Sequence, residues 1–101
     1  IKVKDLGFKN ATKLKYIYKE IKKRKYKLVS LDLALIARIN YKEQKKGEWL
    51  RFATPLHSMV DSDGVPHLPK LGKALSKYFI ETYWSYPDAV FHPHNEFVVC
   101  K

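Results

Sequence analysis

Ser30-Leu31-Asp32-Leu33-Ala34-Leu35-Ile36-Ala37-Arg38-Ile39-Asn40 is the stretch on which the architecture turns. Read as a strand, Leu31, Leu33, Leu35, Ala37 and Ile39 alternate with Asp32, Ala34, Ile36, Arg38 and Asn40, and the alternation is clean on one side only. Read as a helix, Ser30 caps it, Asp32 favours its first turn, and the Leu and Ala residues are strong helix formers. Strands prefer β-branched residues, and only Ile36 and Ile39 qualify within 30–44. The composition therefore predicts a helix. It is apolar nearly all round, so it is expected to be buried.

Upstream, Ile1 and Val3 alternate with Lys2 and Lys4, the pattern of a short strand. Gly7 and Asn10 mark a turn, with Asn10 as the expected N-cap of a basic helix at about 11–27. Leu14, Ile17, Tyr18 and Ile21 fall on one stripe of that helix. Lys13, Lys15, Lys19, Lys22, Lys23, Arg24 and Lys27 fall outside it. Downstream, Lys45-Lys46-Gly47 predicts a turn, and Glu48 to Ala53 predicts a strand that Pro55 limits. Residues 61–69 carry the longest loop signal. Pro69 suits the first position of a helix reaching about Trp84, with Leu71, Ala74, Leu75, Tyr78, Phe79 and Tyr83 on its face. Glu96 to Cys100 reads as a closing strand.

These elements predict a single α+β domain over residues 1–101, with two to three helices packed on a short antiparallel sheet. With three helices the inventory resembles that of winged-helix proteins, and only the inventory. With 29–41 extended instead, the order becomes βαββαβ, the split βαβ sandwich. RNA-recognition modules share that order. Lys46-Gly47-Glu48-Trp49-Leu50-Arg51-Phe52 resembles the opening of their signature strand, but Glu48 stands where an aromatic is required. No family is assigned on that basis.

Cys100 is the only cysteine, which rules out an intramolecular disulfide and favours a reducing compartment: cytoplasm, nucleoid or nucleus. No apolar run approaches the roughly 20 residues of a membrane span. The start, Ile1-Lys2-Val3-Lys4, lacks the pattern of a signal peptide.

The charge is polarised. Residues 1–27 hold eleven Lys or Arg against Asp5 and Glu20, a net of +9 out of a total of +10. A directed field of this kind gathers polyanions, so nucleic acid, RNA or DNA, is the expected partner. The expected contact residues are Lys13, Lys15, Tyr16, Lys19, Lys22, Lys23, Arg24, Tyr26 and Lys27: lysines for phosphates, tyrosines for stacking on exposed bases. The preference for lysine over arginine favours backbone contact over base reading.

Two other classes stay open. A small basic ribonuclease or toxin would need an acid and a base from His57, His67, His92 and His94, with Arg51 or Lys70 steadying the phosphorane. An interaction module would dock a protein partner through Tyr83, Trp84 and Tyr86. No cofactor or metal is expected. Asp61-Ser62-Asp63-Gly64 lacks the later ligands of a calcium loop, Gly72-Lys73 lacks the rest of a phosphate loop, and His92-Pro93-His94 belongs to no closed four-ligand pattern.

Overall fold

The computed structural model describes residues 1–42, 44–45, 48–74 and 77–100. Among these the chain forms β1 (Thr12–Lys13), α1 (Leu14–Lys23), α2 (Leu31–Asn40), β2 (Leu50–Phe52), β3 (His67–Ala74), β4 (Lys77–Trp84), β5 (Val90–Phe91) and β6 (Glu96–Val98). A 3₁₀ turn at Val3–Leu6 precedes them. The main sheet has the order β4-β3-β2-β6, and β1 pairs with β5 in a separate ribbon. β3 is antiparallel to both its neighbours, whereas β6 runs parallel to β2. The class is α+β, with two α-helices among the described residues. Because 31–40 is helical, the split βαβ order is excluded.

The strand alternation builds two small cores, one on each face of the sheet. Ala53, Leu68 and Phe97 lie on one face, against Leu14, Ile17, Tyr18 and Ile21 of α1, with Val3, Leu6 and Phe91 completing the cluster. Phe52 and Leu71 lie on the other face, against Val29 and Ala34. Each fully buried side chain of this size stabilises the fold by about 1.5–3 kcal/mol.

Several sequence expectations are corrected. Residues 3–6 form a 3₁₀ turn because Val3 and Leu6, three apart, are both drawn into the core. Asn10 does not cap α1. The chain first pairs Thr12 and Lys13 with Phe91 and Val90, and the helix starts only after Lys13. Its free first-turn N–H groups are met by backbone instead: Leu14 donates to the Ala89 carbonyl at 2.8 Å and Lys15 to that of Pro87 at 2.9 Å. The helix also ends early, at Lys23. Tyr26 N–H donates to the Ile21 carbonyl and Lys25 N–H to that of Lys22, a Schellman closure with Lys25 left-handed at φ 65°.

Residues 69–84 are not a helix. Their described part is the antiparallel pair of β3 and β4, registered from His67 opposite Trp84 to Ala74 opposite Lys77. The segment after residue 77 is rich in aromatic and β-branched residues, which fit a pleated surface and outweigh the helical spacing of its apolar positions. Pro69 lies past the last β2–β3 pair, Arg51 with Lys70, where no ladder bond to β2 needs its missing N–H. The expected turn at 45–47 falls partly outside the described residues.

α2 is a helix as read, but it is not buried all round. Ala34 packs on the sheet, while Leu35, Ile36 and Ile39 face solvent, the last 69% exposed. Ser30 sits at the N-cap without a side-chain bond. Arg38 and buried Gln44 pin the helix instead. The Arg38 guanidinium donates to Gln44 Oε1, the Tyr41 carbonyl and the Gly72 carbonyl, and Gln44 Nε2 donates to the carbonyls of Glu48 and Leu71. No helix of the described residues is long and apolar enough to cross a membrane.

Candidate functional site

The apolar stripe of α1 docks on the first core and turns the lysines outward. Leu14, Ile17, Tyr18 and Ile21 are the buried residues of the helix, and Lys15, Lys19, Lys22 and Lys23 are exposed. Lys15, Lys19 and Lys22 follow i, i+4, i+7 spacing and so share one stripe. They line a groove of about 450 Å³ whose other lining residues are Tyr18, Leu28, Pro55 and Leu56.

Backbone pairing creates the groove. Val29 N–H donates to the Ala53 carbonyl at 2.9 Å, which sets the 28–29 segment beside 53–56. The Tyr18 hydroxyl donates to the Thr54 carbonyl and ties α1 to the same segment. Burial pushes the Tyr18 phenol well above its ordinary pKa, so it remains a donor. Ser58 donates to the Pro55 carbonyl through both N–H and Oγ, and Ser85 Oγ donates to that of Leu56. The carbonyls of 54, 55 and 56 are therefore all occupied.

The countercharge is uneven. Asp88 meets Lys15 at 3.2 Å and Lys13 at 3.7 Å, where the bond from Lys15 and the field of both lysines hold its carboxyl below the ordinary range. Glu20 is taken by Arg24 at 2.9 Å. Among the described residues Lys19, Lys22 and Lys23 have no ion-pair partner.

The expected contact residues are not equivalent. Tyr16 is 50% exposed, with the Lys15 ammonium 5.3 Å from its ring centroid. Arg24 is engaged internally: besides Glu20 it reaches the Asp5 carbonyl at 2.8 Å and staples the 3₁₀ turn to α1. Tyr26 packs half-buried against the first core and lines a different cleft, with Ile1 and Phe97. Lys27 is exposed, and its backbone bridges that of Cys100.

The other candidate groups are dispersed. His67 Nε2 lies 3.0 Å from Asp61 Oδ2, and Asp61 also accepts from the N–H groups of Asp63 and Val65, so the 61–65 segment is a turn braced by a histidine. His92 and His94 stack with centroids 5.7 Å apart. Arg51 is half-buried against Tyr83 and Phe91, and Lys70 pairs with Glu81 at 2.9 Å while standing 4.5 Å over the Trp49 ring. No three His, Cys, Asp or Glu side chains converge among the described residues. Tyr83 is half-buried beside Phe91, while Trp84 and Tyr86 stand exposed at the end of β4, a strand end rather than a helix end.

The groove's apolar lining is absent from the sequence reading, which takes Tyr18 as core and Pro55 as a strand stop. The spacing of Lys15, Lys19 and Lys22 signals the lysine row and not the apolar wall opposite it. No family model, curated protein or solved structure matches the chain.

Proposed function

We propose that this protein binds nucleic acid through the phosphate backbone, using the outward face of α1. The supporting observation is the row formed by Lys19, Lys22 and Lys23: three exposed ammoniums on an ordered helix, with no ion-pair partner among the described residues. Lysines so arranged serve phosphates as mobile point charges and release condensed counterions on binding. Tyr16 beside Lys15 favours RNA or single-stranded DNA over duplex, because an exposed ring can stack on an unpaired base.

The test is fluorescence anisotropy with a labelled oligonucleotide between 50 and 200 mM salt. Four phosphate contacts, from Lys15, Lys19, Lys22 and Lys23, give a log–log slope near −3 for a single strand and about a 50-fold loss of affinity over that range. The Lys19→Gln, Lys22→Gln, Lys23→Gln triple variant is expected to reduce that slope to about −1. A salt-independent affinity overturns the reading.

A further inference from the structure

We infer that the groove beside α1 receives an unpaired base of a single-stranded nucleic acid whose phosphates lie on Lys15, Lys19 and Lys22. This rests on the phosphate-binding reading of α1 and adds a subsite to it. The groove is amphiphilic in the way a nucleotide is. Its cations all come from the helix, and Tyr18, Leu28, Pro55 and Leu56 give it apolar walls. From Lys15 to Lys22 the helix advances about 10 Å. A single strand laid along the helix carries successive phosphates past the row over that length. A volume of about 450 Å³ falls within the range of small-molecule sites and holds a base with its sugar.

The walls also say how the base is held. The carbonyls of Thr54, Pro55 and Leu56 are occupied by Tyr18, Ser58 and Ser85. Each of those acceptors already has a donor, and the side chains of Leu28, Pro55 and Leu56 carry no polar atom, so the subsite takes a base chiefly by its apolar π-face and not by the hydrogen-bonding pattern of its edge. Duplex bases present edges only, which excludes them. Binding here is tolerant of sequence and selective for unpaired strands.

The experiment compares three ten-nucleotide probes at 100 mM salt: a thymidine strand, a fully abasic strand with the same phosphates, and a duplex. The thymidine strand is expected to bind at least tenfold more tightly than the abasic one. Leu56→Gln and Pro55→Ser, at half-buried and exposed positions, should each erode that ratio. Both should leave the salt slope on the abasic strand unchanged, which reports an intact lysine face in the same samples. Tyr16→Ala should leave most of the ratio in place.

Equal affinity for base-bearing and abasic strands, with a steep salt slope retained, overturns the subsite and spares the phosphate reading. A flat salt slope overturns the phosphate reading itself. A ratio that follows Tyr16 and ignores Leu56 moves stacking out of the groove and overturns the inference. So does an acidic peptide with apolar side chains that binds more tightly than the strand and is lost in Leu56→Gln. So, too, does thymidine monophosphate binding as tightly as the ten-nucleotide strand.

Discussion

The carboxylate of Asp88 stands 3.2 Å from the ammonium of Lys15, at the entrance to the lysine row of α1. It is a built-in competitor for any phosphate that approaches there. Because its folded pKa lies below the ordinary value of 3.8, it stays ionised throughout the neutral range. Asp88→Asn is therefore expected to tighten oligonucleotide binding, by removing the competitor at Lys15, and to steepen the salt slope by about one contact, as Lys13 comes free. Anisotropy over the salt series measures both. Unchanged affinity and slope would mean that phosphates do not visit this end of the helix.

Tyr18 links the core to pH. Its folded pKa is raised above the ordinary value of 10.0 by burial. In the unfolded chain the phenol begins to ionise near pH 10, while in the fold it keeps its proton. Stability from this residue is thus complete below pH 10 and is lost as pH rises toward the folded value, at about 1.4 kcal/mol per pH unit. Tyr18→Phe is expected to flatten that alkaline loss and to cost about 1–3 kcal/mol at pH 7, because the buried Thr54 carbonyl loses its donor. Urea unfolding at pH 7 and pH 11 checks both signs.

Lys25 sits at φ 65°, where glycine is the usual occupant of a helix-ending turn. A left-handed lysine costs about 1–2 kcal/mol, partly offset because glycine would lose more backbone freedom on folding. Lys25→Gly is expected to raise stability by about 1 kcal/mol. Thermal unfolding measures it, and a lowered midpoint would refute it.

The two cores should behave as separate packing units. Ile21 belongs to one and Val29 to the other. Ile21→Val removes one buried methylene-sized group and Val29→Ala removes two, for losses of about 1 and about 2 kcal/mol. The double variant should lose their sum to within about 0.5 kcal/mol, since residues without shared partners are additive. A double-mutant cycle in urea decides this, and a coupling above about 1 kcal/mol would mean one continuous core.

What the sequence made legible follows from where each signal resides. The stripe Leu14, Ile17, Tyr18 and Ile21 is a local pattern whose four members are all buried. The Leu and Ala content of 31–40 is likewise a local preference, and that segment is a helix. The hairpin was hidden because Leu71, Ala74, Leu75, Tyr78 and Phe79 also fit helical spacing. The strand preference of Tyr78 to Trp84 was the competing signal, and sheet pairing decided between them. The exposure of Ile36 and Ile39 was also hidden, because apolarity says nothing of how much chain is left to cover a helix. The lysine row was readable from spacing alone. The groove beside it was not, since the bonds from Val29 to Ala53 and from Tyr18 to Thr54 that set its walls together are tertiary events without a local trace.

Ile1 and Phe97 exchange backbone hydrogen bonds, Ile1 nitrogen to Phe97 carbonyl at 2.8 Å and Phe97 nitrogen to Ile1 carbonyl at 2.7 Å. This has a consequence for how the molecule is made. Ile1 waits for Phe97 before its backbone has these partners, and β2 waits for β6. On a ribosome the lysine helix emerges early with its apolar stripe uncovered, and the domain closes only once residue 98 is clear of the exit tunnel. Folding dominated by such distant pairings is slow. Nascent-chain truncations ending before residue 96 are thus expected to remain protease-sensitive throughout, the basic helix included.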